Sequence, residues 1–385
     1  MGWWRWVALS VALAVSSQVT AAAPTTSPAT ILIDARTGQS LAEQDADTAH
    51  PAGTLSQLMM LLIGLEQASL GALALDGPVT AHDGQVRRAP PSAPRAQGKA
   101  APAPAVMGLR DGQMYVLSDL LKAMAVSSSA TTAAAVADAL AGSFAACVDL
   151  MNARAERLGM KATRYYGAAN VTSATALGRG TTTARDLARL AQALLDYPQV
   201  LEWTSLSGFP FDHGSVLLRN GNQLVGAVAG VDGLQVSASA EAGPSIVATA
   251  QRHSLRLIAV VLGAADSTAQ YKSAADMLEW GFAHYEQLDV VNKGERLNLP
   301  IPVLNGSVAQ IRPVAGQSLS LLSRRDVERD LQVRYQLPAV LIAPLKRHQP
   351  IGELIVEEGG AVIAVIPVLC PRTVTLTGML SAALP

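Results

Sequence analysis

The alternation of apolar and polar positions changes period several times along this chain. A short apolar run at residues 30–34, a turn through Ala35-Arg36-Thr37-Gly38 and a second run at 40–43 predict a β-hairpin. Residues 54–69 then form one long apolar stretch of helical length that stops at Gly71. Helical periodicity returns at 116–125, 131–141, 144–158 and 183–195; in the last, Leu187, Leu190, Ala191 and Leu194 share one face. Strand-like runs are expected at 223–228, 245–250 and 255–262, and a helix at 274–284. Beyond Asp289 the texture changes to short β-rich runs, at 310–313, 319–322, 331–336, 339–344, 353–356 and 361–368. Gly359-Gly360 marks a hairpin turn between the last two.

That order predicts a mixed α/β domain over 29–285, its sheet flanked by helices, followed by a smaller all-β domain over 290–372. A Pro/Ala-rich insert at 87–105 carries Arg87, Arg88, Arg95 and Lys99 and reads as a solvated loop. At the amino terminus Arg5 precedes an apolar run from Trp6 to Val15. Polar residues and Ala21-Ala22-Ala23 follow. The run is too short to span a bilayer, so residues 1–23 are expected to be a cleaved secretory signal and the mature protein periplasmic.

Composition narrows the chemistry. With 29 basic and 30 acidic residues among 385, nothing supplies the basic stripe needed for nucleic acid, which is not expected as a partner. Two cysteines, Cys147 and Cys370, build no disulfide framework. The six histidines never recur at the spacing of a helical metal site, so neither a metal nor any other cofactor is expected.

Several ordered blocks carry more specific information. Ile31-Leu32-Ile33-Asp34, Leu41-Ala42-Glu43, Leu150-Met151-Asn152, Leu158-Gly159-Met160 and Ala184-Arg185-Asp186-Leu187-Ala188 come first. Arg219-Asn220, Val231-Asp232-Gly233-Leu234 and Ala242-Gly243 follow. Together they resemble the serine-type D-alanyl-D-alanine carboxypeptidases, the low-molecular-mass penicillin-binding proteins of the bacterial cell envelope. The resemblance implies an antiparallel sheet flanked by helices, then a small all-β domain. It also implies three motifs: Ser-x-x-Lys at a helix start, Ser-x-Asn, and Lys-Thr-Gly on an edge strand.

This chain departs from all three. Thr54-Leu55-Ser56-Gln57 stands for the first, so Thr54 falls at the nucleophile position and Gln57 at that of the base. A serine or threonine hydroxyl is a weak nucleophile without a neighbouring base, and a carboxamide accepts no proton at neutral pH. Ser128-Ser129-Ala130 stands for the second, keeping the Ser128 hydroxyl but placing Ala130 where an amide would orient the substrate. Gln235-Val236-Ser237 stands for the third. A neutral Gln235 replaces the lysine that would attract a substrate carboxylate, and Val236 lacks the threonine hydroxyl. None of the six lysines has a serine three residues before it, so the first motif has not shifted elsewhere.

Two readings of Thr54–Gln57 stay open at this level. Thr-x-x-Gln ahead of an apolar run is a capping box, worth about 1 kcal/mol; the alternative is a weak threonine nucleophile. For the whole chain the sequence favours an inactive envelope homologue binding a peptidoglycan stem peptide or a cell-envelope protein. The alternatives are a carboxypeptidase with residual or rerouted activity and a structural role through the β domain. No lysine or arginine follows Arg372, so no stable amphipathic membrane anchor is expected at the carboxyl end.

Overall fold

The computed structural model describes residues 27–81, 109–166, 180–239 and 243–377. The signal segment and the 87–105 insert lie outside the described residues. Two compact units emerge. One is Met1–Thr249 with Ile258–Met277, and the other is Ala250–Leu257 with Leu278–Pro385.

A five-stranded sheet, all of it but residues within 250–257 belonging to the first unit, comes first. Strands β1 (Ala29–Asp34) and β2 (Ser40–Gln44) pair antiparallel around the Gly38 turn, where a positive φ of 72° suits a residue without Cβ. Next to β1 comes Leu255–Leu262, then Gly243–Arg252, and the edge is Val231–Ser239. Side chains in the central strands alternate between two apolar environments. Ile31, Ile33, Ile258, Val260 and Leu262 join the large core with the helices. Leu32, Leu257, Ala259 and Val261 point the other way and are equally buried. Both faces of the sheet are therefore covered, which explains why these strands read as near-continuous apolar runs.

Helix α1 (Gln57–Ser69) runs through the middle of that core, with every residue from Gln57 to Leu65 buried. A helix apolar all round is an interior helix, and this one has neighbours on all sides. Around it lie α2 (Leu117–Ser127), α3 (Ala130–Ala141), α4 (Phe144–Arg157) and α5 (Ala184–Leu194). Ser129, Ser143 and Thr183 cap α3, α4 and α5 by accepting from the amides of Thr132, Ala146 and Asp186. Among the described residues no single helix is long and apolar enough to cross a membrane.

Three expectations need correction. Residues 223–228 are turns, not a strand. Gly221, Gly226 and Gly230 interrupt the run, and the Asn220 and Asn222 side chains accept from the amides of Asn222 and Leu224, curling the chain. The helix expected at 274–284 starts earlier and spans Ser267–His284. The capping box at Thr54 is absent, as described below.

The second unit is β-rich. A four-stranded sheet holds Val314–Ala315, Ala361–Leu369, Pro350–Glu358 and Leu331–Gln336 in that order. The Pro350–Glu358 and Ala361–Leu369 pair is the hairpin expected at Gly359-Gly360, both at positive φ. Ile301–Leu304 pairs antiparallel with Gln310–Ile311 and parallel with Leu341–Ile342. Leu354, Val356, Ile366, Val368 and Cys370 fill a small core of its own.

Candidate active-site cleft

The entrance to α1 is a single 3-10 turn, Gly53–Ser56, which runs into the α-helix without a break. No side chain caps either start. Thr54 and Gln57 point instead to residues remote in sequence, because the helix entrance is packed inside the domain and its amides are met by the tighter turn. The Thr54 amide donates to Ser237 Oγ at 3.1 Å, and Thr54 Oγ1 donates to the Val236 carbonyl at 3.1 Å. The helix thus docks on the edge strand through its first polar residue.

From another element Ser128 reaches the same carbonyl. It closes α2 in the left-handed conformation (φ 52°), which turns the chain sharply into α3, and its Oγ donates to Val236 O at 3.1 Å. The polar run Ser127–Ser129 is therefore a helix-to-helix joint as well as one wall of the cleft. Ala130 is the first residue of α3, immediately behind that joint.

Below these hydroxyls lie two carboxamides. Gln57 and Gln235 are only 1% and 2% exposed. Gln235 Nε2 donates to Gln57 Oε1 at 3.2 Å and to the Met124 carbonyl at 3.1 Å. Gln57 Nε2 donates to the carbonyls of Ser128 and Ser129, at 3.3 and 3.5 Å. The amide orientation follows from that network, since three main-chain carbonyls must face N–H groups. Gln235 Oε1 is buried with no hydrogen-bond partner among the described residues.

The structure thus brings Thr54, Gln57, Ser128, Gln235, Val236 and Ser237 into one cleft floor. Val236 contributes its main chain there, and its side chain faces the turn at Gly221, where an added Cβ would lie 3.0 Å from Cγ2. Gly221 is itself fixed by its amide, which donates a hydrogen bond to the Val126 carbonyl, and by Tyr271, whose hydroxyl donates to its carbonyl at 2.7 Å. Sequence reasoning missed the carbonyls of Met124 and Ser129 and the Gly221 turn. Only Asn220-Gly221-Asn222, a turn-forming triplet, could have signalled the last of these.

Chemically the floor is a neutral network of amides, hydroxyls and carbonyls. Every partner named above lacks a charge, and neither carboxamide is basic near pH 7.

Comparison with known proteins assigns the lineage. Residues 16–266 match the family described as D-alanyl-D-alanine carboxypeptidase. The chain belongs to that family. Residues 285–376 match the penicillin-binding protein 5 C-terminal domain. The D-alanyl-D-alanine carboxypeptidase DacC of Escherichia coli (strain K12) is 28% identical over 347 residues, covering 89% of this chain and 83% of the relative. Penicillin-binding protein 5 from Haemophilus influenzae shares the fold with a TM-score of 0.65 at 22% identity, covering 91% of this chain and 98% of that one. A peptidoglycan synthesis regulatory factor (PBP3) from Streptococcus pneumoniae has a TM-score of 0.69, also at 22% identity, over 91% and 100%. The α/β fold with a trailing β domain, read from the ordered sequence blocks, stands.

Proposed function

We propose that this chain is an exported envelope protein that keeps the carboxypeptidase cleft for binding or regulation and does not hydrolyse the D-alanyl bond. One observation carries the reading: the buried Gln57–Gln235 amide pair occupies the positions that, by resemblance, hold the proton acceptor and the carboxylate-attracting cation. Acyl transfer needs an activated hydroxyl, a base within hydrogen-bond reach and electrostatic help for the developing charge. Thr54 Oγ1 donates its hydrogen bond to a main-chain carbonyl, which is no base and cannot take the proton. Loss of a positioned base alone removes about 10²–10⁴ in rate. The ligand class in this reading is a peptidoglycan stem peptide or a protein partner of the envelope.

The deciding experiment exposes the purified protein to a fluorescent penicillin and to a pentapeptide ending in D-alanyl-D-alanine. No stable adduct and no released D-alanine are expected, with retention on cross-linked peptidoglycan. An adduct of one penicillin mapped to Thr54 overturns the reading in favour of a threonine nucleophile. Export is tested by sequencing the mature amino terminus, expected between Ala22 and Pro24, and by osmotic-shock release. Retention in salt-washed membranes until detergent is added overturns that part.

A further inference from the structure

The dipeptide Asn-Gly occurs twice in the chain, at Asn220-Gly221 and at Asn305-Gly306. It is a chemically fragile pair, because glycine has no side chain to shield its own amide nitrogen from the preceding carboxamide. The structure treats the two pairs in opposite ways. Asn220 is half-buried and its carboxamide is engaged at both ends. Nδ2 donates to the carbonyls of Thr204 and Leu206, each at 2.8 Å, and Oδ1 accepts from the Asn222 amide at 2.8 Å. The Gly221 amide is engaged as well, donating to the Val126 carbonyl at 2.9 Å.

Asn305 follows the strand Ile301–Leu304 in an exposed turn, at a left-handed φ of 55° that asparagine tolerates. Neither its carboxamide nor the Gly306 amide makes a hydrogen bond among the described residues. The carbonyls of the same turn are structural. That of Asn305 accepts from the Thr377 amide at 2.8 Å and that of Gly306 from Thr377 Oγ1 at 2.7 Å, while the Ser307 amide donates to the Thr375 carbonyl at 2.8 Å. Gly306 has no room for a larger residue: an added Cβ would lie 2.8 Å from Val303 Cγ1 and 2.9 Å from Val374 Cγ1. Packing thus requires the very glycine that leaves Asn305 open to attack.

We propose that Asn305 is a site of spontaneous succinimide formation, and that its conversion to isoaspartate frees residues 375–377 from the turn that holds them. The Gly306 nitrogen bonds to Asn305 Cγ and the Cγ–Nδ2 bond breaks. The displaced nitrogen leaves as ammonia, taking the proton of the Gly306 amide. Water then opens the ring at either carbonyl, giving aspartate or isoaspartate. In isoaspartate the main chain runs through Cγ and is one methylene longer, and the former Asn305 carbonyl carbon becomes a free carboxylate. The acceptor of the Thr377 amide has then left the main chain, and Gly306 and Ser307 are out of register with their partners. The reaction is independent of the Thr54 cleft.

The test is peptide mapping by mass spectrometry of the full chain incubated at mildly alkaline pH. Asn305 should gain the mass of an amide-to-acid exchange, with the isoaspartyl fraction labelled by an isoaspartyl methyltransferase. In the native protein Asn220 should convert at least about tenfold more slowly, since several hydrogen bonds must open first. In urea, where both are free, the two should convert at similar rates. Hydrogen exchange of the Ser307 and Thr377 amides should quicken in the isoaspartyl fraction. It should stay slow in incubated Asn305→Gln, whose longer side chain closes the ring poorly, and in Asn305→Asp, which adds the charge without lengthening the backbone. An Asn305 that survives in the native protein while converting in urea overturns the proposal, as does an Asn220 that keeps pace with it. Unchanged exchange in the isoaspartyl fraction overturns the release of residues 375–377.

Discussion

Gln57 and Gln235, 178 residues apart, share a hydrogen bond of 3.2 Å in the floor of the cleft. Through it the start of α1, the α2–α3 joint and the edge strand are tied together, because each amide also holds a carbonyl of the joint or of α2. Truncating either one leaves buried polar groups without partners. Gln57→Ala is expected to cost about 1–3 kcal/mol in urea unfolding. A double-mutant cycle with Gln235→Ala should give a coupling of about 0.5–3 kcal/mol. A coupling near zero would show that the two amides act independently.

Activity should not return through the nucleophile alone. Thr54→Ser supplies a less crowded hydroxyl, yet its neighbours stay neutral, so penicillin labelling is expected to remain absent. The combined change Thr54→Ser, Gln57→Lys, Ala130→Asn, Gln235→Lys, Val236→Thr and Ser237→Gly restores the motif chemistry. It also sets two cations where the amides now meet and removes the hydroxyl that receives the Thr54 amide. Labelling of the combined variant, with a lowered melting temperature, is expected. Labelling of Thr54→Ser by itself would refute the requirement for a base.

His50 provides a pH signature. Burial holds its imidazole below the usual 6.5, and Nε2 has no hydrogen-bond partner among the described residues. Above pH 6.5 the ring is neutral in both folded and unfolded chains, so its contribution is complete there. As pH falls below 6.5 the unfolded chain takes up the proton more readily than the native one, and stability declines. Urea midpoints should therefore drop on acidification, and the slope should be shallower in His50→Leu.

A second pH effect has its own window. Arg185 donates through Nε to Asp47 at 2.8 Å and through both terminal nitrogens to Glu43, at 3.0 and 2.9 Å. The guanidinium holds the carboxyls of Glu43 and Asp47 below their ordinary values of 4.5 and 3.8. Their stabilisation is complete above those values and disappears as pH falls through the lower native ones. Solvent reaches both acids, so Arg185→Lys should cost under about 1 kcal/mol, and less in high salt. A larger, salt-independent loss would mean that the fork also orders the start of α5.

Legibility in the sequence followed the range of each interaction. The β1–β2 hairpin and the helices up to α5 were readable because their signals lie within one element: short apolar runs, a Gly turn and helical periodicity. Residues 223–228 failed because three glycines and two asparagines outweighed the apolar run between them. At Thr54–Gln57 the local pattern was that of a cap, yet the tertiary partners Val236, Ser237 and Gln235 prevailed. The motif positions told which residues would meet. They could not tell that the two carboxamides would bond to each other, since that depends on how an edge strand and a buried helix come within 3.2 Å.

The Val236 carbonyl has a consequence for visiting peptides. It belongs to an edge strand, the place where an extended guest would dock by adding a further strand, and it faces the Thr54 and Ser128 hydroxyls. Both of its lone pairs are already engaged, one by Thr54 and one by Ser128. A guest laid along this edge meets a missing rung at Val236 and must grip the strand on either side of it or displace a hydroxyl first.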